Sequence, residues 1–183
     1  MEPMEIRVTG FGGQGIILAG YIIGKAASIY QGKHATMAQA YGPEARGSAC
    51  SSQVIISDAT IHFPYVSKPG VLVCMSQEAR DKFAAEIRPG AVVLIDETLV
   101  NGSDYPDGAQ VYRIPATAIA EELGRRIVAN IVMMGFFAAC AGVIDQEAMR
   151  QAVATCVPKA AIDLNLEAFD KGYEYGMNQV GQT

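Results

Sequence analysis

The residues best suited to chemistry stand near the start of the chain, in Gly10-Phe11-Gly12-Gly13-Gln14-Gly15. Gly10, Gly12 and Gly15 satisfy the GxGxxG spacing. Glycines there allow a tight turn and close approach of a ligand, and the free N–H groups at the positive end of a following helix attract an anion such as pyrophosphate. The same residues also suit a tight strand-to-helix packing turn that binds nothing. A nicotinamide dinucleotide site would carry Asp or Glu roughly 20 residues further on, to hold a ribose hydroxyl. No acidic residue occurs between Gly15 and Pro43; Lys33, His34, Thr36 and Gln39 occupy that stretch instead. NAD is therefore disfavoured, and NADP, whose phosphate those residues would tolerate, stays as an alternative for a free-standing oxidoreductase.

A second cluster is Tyr41 to Ser48, YGPEARGS, which sets Glu44 and Arg46 in a turn defined by Pro43 and Gly47. Arg46 could clamp a carboxylate or phosphate with Glu44 orienting it, but an ion pair within the loop or across a subunit interface is the favoured reading. His34 and His62 have no nucleophile beside them in sequence and read as polar edge residues. Cys50, Cys74, Cys140 and Cys156 show no CxxC spacing, so they read as reduced, mostly buried thiols and not as cluster or zinc ligands. There is no GDG followed by an asparagine pair to hold thiamine diphosphate, and no GxSxG, HExxH or Walker A motif. The chain lacks the equipment for a complete reaction.

The elements that must position these residues are legible from periodicity. Glu5 to Gly10 is a short β-branched run entering the glycines, and Ile16 to Tyr30 is an apolar helix. His34 to Gln39 and Ala49 to Ser57 read as extended, with Ile61 to Tyr65 as a short hairpin strand ending at Pro64. Val71 to Met75 has the continuous apolar character of a strand buried on both faces; Gln77 to Ile87 follows as a helix capped by Ser76, and Ala91 to Asp96 completes a βαβ step. Gln110 to Ile114 is a last strand. Pro115 to Leu123, Ala129 to Ala141, Gln146 to Val153 and Lys159 to Tyr175 read as helices, the third capped by Asp145 or the preceding turn and the last started by Pro158, with a frayed tail after Gly176. Alternating elements early and helices late predict a three-layer α/β/α sandwich, Rossmann-like, around a mostly parallel or mixed sheet, in one domain with a core of about residues 5–175.

Composition narrows the partners. The chain has 183 residues, half of them hydrophobic and 18% charged, which is apolar enough to suggest that some surface meets a partner. A formal charge of −5 supplies no global basic field for nucleic acid. The most apolar stretch, Ile127 to Ile144, is interrupted by Asn130, Gly135 and Gly142, which suits a buried helix and not a membrane span. The acidic N-terminus lacks the basic and apolar regions of a signal peptide, an expectation of cytoplasmic location.

Three segments go beyond a generic pattern: GFGGQGIILAG (Gly10 to Gly20), KHATMAQAYGPEARGSACSSQVIIS (Lys33 to Ser57) and VANIVMMG (Val128 to Gly135). Together they resemble the gamma subunit of the 2-oxoacid:ferredoxin or flavodoxin oxidoreductases over roughly Glu5 to Phe169, most of all the 2-oxoglutarate branch. The resemblance implies a complex that decarboxylates a 2-oxoacid on thiamine diphosphate, sends electrons through iron–sulfur clusters to ferredoxin or flavodoxin, and transfers the acyl group to coenzyme A. Alpha, beta and delta-type subunits would then hold the thiamine diphosphate, its magnesium and the clusters. This chain would be noncatalytic and pack against the thiamine-binding subunits. Its direct contribution would be a coenzyme A contact at Gly12, Gly13, Gln14 and Gly15, with Lys33 and Arg46 as basic neighbours; a pure assembly module is the alternative. An isolated subunit, stripped of these partners, could pair with itself as a homodimer through the exposed apolar surface.

Overall fold

The computed structural model describes residues 3–41 and 49–181. Six strands form one sheet in the order β2-β3-β1-β4-β5-β6. They are β1 (Met4–Phe11), β2 (His34–Tyr41), β3 (Ala49–Ser57), β4 (Val71–Cys74), β5 (Val92–Asp96) and β6 (Gln110–Ile114). β1, β4, β5 and β6 are mutually parallel, whereas β3 runs antiparallel to both neighbours, pairing Ile6 with Val54 on one side and Met37 with Val54 on the other.

The helices are α1 (Ile16–Lys25), α2 (Gln77–Phe83), α3 (Ala116–Glu122), α4 (Ala129–Cys140), α5 (Gln146–Cys156) and α6 (Ile162–Val180). Side-chain alternation sorts them into layers. Ile6, Val8, Val54, Val71, Val73 and Leu94 point to the face carrying α1 and α3 to α6, where Phe136, Phe137 and Phe169 fill the main core. Leu72, Cys74, Val93 and Ile95 point to the other face and meet Ala79 and Phe83 of α2. The mixed α/β sandwich expected from the sequence is present, with the helices unequally divided.

The central helix α4 is buried nearly all round, which explains its uniformly apolar sequence. It crosses α6 at glycines. A Cβ on Gly135 would lie 1.9 Å from the Phe169 carbonyl oxygen, and one on Gly172 would lie 1.9 Å from that of Val132, so the two backbones touch. Ser76 caps α2 as expected, its hydroxyl accepting from the Ala79 N–H at 3.2 Å. Asp145 occupies the N-cap position of α5 without a side-chain cap bond.

Two expectations need correction. Ile61 to Tyr65 is not a strand but part of a loop. Pro64 has no N–H to give a ladder, and the loop is tethered by side chains: Gln53 Oε1 accepts from the Val66 N–H, while Arg7, buried, donates to the Val66 carbonyl, pairs with Glu86 and lies over the Phe83 ring. The C-terminus does not fray after Gly176, since α6 continues to Val180. There the Gln179 carboxamide accepts from the Arg113 N–H and donates to the Arg113 carbonyl, pairing with the outer edge of β6 as a neighbouring strand would.

Candidate functional site

The glycine loop leaves β1 and enters α1 at the C-terminal end of the parallel strands. α1 follows β1 onto one face, and α2 follows β4 onto the other, so the gap between the ends of β1 and β4 is a topological switch point, where α/β sheets bind ligands. Each loop residue has a distinct physical job. Gly15 caps α1 at φ 74°, and a Cβ there would collide with the Asn130 carboxamide, whose nitrogen donates to the Gly15 carbonyl. Asn130 is itself buried at the start of α4. Gln14 points across the switch point: its Oε1 accepts from the Phe11 N–H at 2.6 Å and its Nε2 donates to the Met75 carbonyl at 2.8 Å. It is a brace between the ends of β1 and β4.

Gly12 and Gly13 are different. Both are exposed, a Cβ on either would meet nothing within 4 Å, and Gly13 has φ 100°. The backbone of both therefore faces open space, and at Gly13 it does so in a conformation that side chains rarely adopt. Beside them lies a cavity of about 240 Å³ whose walls include Gly13, Gln14, Met75, Thr117, Arg126 and Ile127. Arg126 is the cation of this cavity. Among the described residues its ion pair is with Glu121 at 3.6 Å, with both side chains more than half exposed, and such a pair holds the guanidinium weakly. A loop with open backbone, a helix N-terminus and a loosely held arginine together have the chemistry that a phosphate-sized anion requires.

The floor of the site is rigid. Asp96, fully buried at the end of β5, accepts from the Thr98 and Thr117 N–H groups at 3.1 Å each and from the Thr117 hydroxyl at 2.5 Å, which fixes α3 against the sheet. Thr9 Oγ1 donates to the Val73 carbonyl at 2.7 Å, locking β1 to β4 just below the loop. Burial pushes the Cys74 and Cys140 thiols up to about 12 and raises Cys50 and Cys156 as well, which disfavours the thiolate form that a nucleophile needs. Among the described residues no three His, Cys, Asp or Glu side chains converge to hold a metal.

Of the residues expected to form one site, Gly12, Gly13, Gln14 and Gly15 stand together. Lys33 does not join them. It precedes His34, which pairs with Ser57 near the Met4 end of β1, and that end lies roughly 20 Å along the strand from the loop. Arg46 falls outside the described residues. The dinucleotide alternative also loses its footing, because β3, not β2, lies beside β1, so the strand that should reach the ribose is one position further away. Arg126, Thr117 and Asn130 were not read as site residues from the sequence. The available signal was Asn130 within VANIVMMG, a buried polar residue interrupting an apolar run.

A family model described as pyruvate ferredoxin/flavodoxin oxidoreductase matches residues 5–175. The chain belongs to this family. Among its relatives, the 2-oxoglutarate synthase subunit KorC of Methanocaldococcus jannaschii is 52% identical, across 93% of this chain and 92% of that one. The gamma subunit of keto/oxoacid ferredoxin oxidoreductase from Geobacter sulfurreducens has a solved structure that superposes with a TM-score of 0.85 at 43% identity, covering 96% of this chain and 99% of that one. The same fold recurs at 24% identity, with a TM-score of 0.85, in the 2-oxoglutarate:ferredoxin oxidoreductase of Magnetococcus marinus, of whose longer chain the match covers 32%. The fold thus occurs both as a separate gamma chain and within a longer chain. Among the described residues of this member, no helix is long and apolar enough to cross a membrane.

Proposed function

We propose that this chain is the gamma subunit of a cytoplasmic 2-oxoglutarate synthase, a complex that oxidises 2-oxoglutarate to succinyl-CoA and CO2 and hands the electrons to ferredoxin or flavodoxin. The 52% identity to a KorC subunit, along nearly the whole length of both chains, carries that reading. Partner subunits hold the thiamine diphosphate, its magnesium and the iron–sulfur clusters; the mostly buried thiols of this chain, their ionisation disfavoured by burial, suit a subunit with no covalent step of its own. Ile127, exposed at the rim of the glycine-loop cavity, supplies an apolar contact for a partner subunit.

Coenzyme A, as an electrostatic problem, is a pyrophosphate and a ribose phosphate joined to a flexible, neutral arm that ends in the thiol. The open backbone of Gly12 and Gly13, the amino end of α1 and Arg126 meet the requirement for one phosphate group, and the Gln14 brace holds them in place. Here the chain binds and orients, and the chemistry of acyl transfer is supplied elsewhere. The test uses the assembled complex carrying Gly13→Val or Arg126→Met. Each variant is expected to raise the KM for coenzyme A by about tenfold, the equivalent of one charge-assisted contact, and to leave the KM for 2-oxoglutarate unchanged. Unchanged values for both substrates would make the loop a packing turn and the subunit a scaffold.

A further inference from the structure

At the end of the sheet opposite the glycine loop there is a second cavity, of about 340 Å³, between the start of β1 and the turn after α4. Two cations, Lys33 and Arg88, line it, and among the described residues neither pairs with a carboxylate. Arg88 is held in place all the same. A Cβ on Gly70 would lie 2.6 Å from both its Cζ and Nη2, so the guanidinium rests against the Gly70 backbone where any side chain would displace it. Its Nη2 also meets the Met4 sulfur at 3.7 Å, a weak acceptor, and no stronger acceptor for its side chain is found among the described residues. Met4, Ile56 and Val143 supply apolar wall, and Asp58, exposed, is the one carboxylate on the rim.

Two like charges sharing one partly buried hollow repel each other, and an anion between them relieves that repulsion. A half-buried arginine seated against a glycine and, among the described residues, without a carboxylate partner suits a planar or tetrahedral oxyanion. We propose that this cavity binds a small organic anion, its phosphate or carboxylate head shared by Lys33 and Arg88 and its apolar body against Met4, Ile56 and Val143. The volume fits a small metabolite, and Asp58 disfavours a ligand with several negative charges. This assigns Lys33 a ligand of its own, separate from anything held at the glycine loop.

Amide NMR of the full chain, titrated with inorganic phosphate and then with phenyl phosphate, tests the site. Saturable shifts are expected at Asp58 and Gly142, with roughly millimolar affinity for phosphate and at least several-fold tighter binding of phenyl phosphate, whose ring meets the apolar wall. Lys33→Met and Arg88→Met should each weaken binding about tenfold, and Gly70→Ala should do the same with both cations retained. Phosphate reaching the glycine loop is read separately at Gly12 and Gly13. Shifts confined to that loop, shifts that never saturate, or equal affinity in Lys33→Met and Arg88→Met would each overturn the proposal; if Gly70→Ala does not fold, those two variants still decide.

Discussion

Gly135→Ala is the most exacting perturbation this fold offers, because helix propensity and packing predict opposite signs. In an exposed helix the change stabilises by about 1 kcal/mol. At Gly135 the new methyl would start 1.9 Å from the Phe169 carbonyl oxygen and 2.8 Å from the Tyr173 nitrogen. Both are backbone atoms and cannot rotate away. α4 and α6 must then separate by roughly 1 Å, and a gap of that size forfeits a quarter to a half of the dispersion energy of every contact along the seam. The seam includes the fully buried Phe136 and Phe169. Overpacking of this kind costs about 1–3 kcal/mol or more, and immovable neighbours put Gly135 at the upper end. After the propensity gain the net loss is about 2–3 kcal/mol, or roughly 5–10 °C in Tm for a chain of this size.

Urea and thermal melts of the full chain read the effect, with Gly24→Ala as the internal control. Gly24 lies in α1, and a Cβ there meets nothing within 4 Å, so that variant should gain up to about 1 kcal/mol. Gly172→Ala should resemble Gly135→Ala, and the double variant should lose less than the sum, since the first methyl already parts the helices. A Gly135→Ala protein as stable as Gly24→Ala would refute the backbone contact between α4 and α6.

Two further outcomes follow from buried groups. Asp96→Asn places an amide nitrogen against N–H donors that now meet a carboxylate, so about 2–4 kcal/mol of stability should be lost in urea melts; a loss under 1 kcal/mol would mean that the Thr98 and Thr117 bonds contribute little. Cys74 and Cys140 ionise near pH 9 when unfolded and only near 12 when folded, so their contribution is complete below pH 9 and is lost as pH rises toward 12, at about 1.4 kcal/mol per pH unit for each thiol. Stability melts between pH 8 and 10.5 should show that decline, and mass spectrometry after iodoacetamide treatment of the folded chain should find Cys156, which is partly exposed, labelled before Cys74.

Local pattern made the elements legible, and distance hid how they meet. The bounds of Gln110 to Ile114 and Ala49 to Ser57, the Ser76 cap and the glycine loop are all written in neighbouring residues, through alternation, capping chemistry and conformational need. Nothing local says that β3 inserts between β1 and β2, since strand neighbours are chosen by long-range burial; Lys33 is kept from the loop by its place at the start of β2, beside the Met4 end of β1. Gln14 was legible as a loop residue, but its role as a brace depends on Met75, 61 positions on. Arg126 reads as an ordinary flank of an apolar helix until α3 and the glycine loop close around it. The distinctive segment from Val128 to Gly135 has physical content that only the assembled chain reveals: Asn130 holds Gly15, and Gly135 admits α6.

The Gln179 carboxamide at Arg113 has a consequence for assembly. On the β6 side, the lateral hydrogen-bonding groups of Arg113 are already taken up from within the chain. A strand from another molecule that adds to the sheet at Arg113 must first evict the last turn of α6. Clipping the chain ahead of Gln179 would remove that amide and open the β6 edge to such pairing.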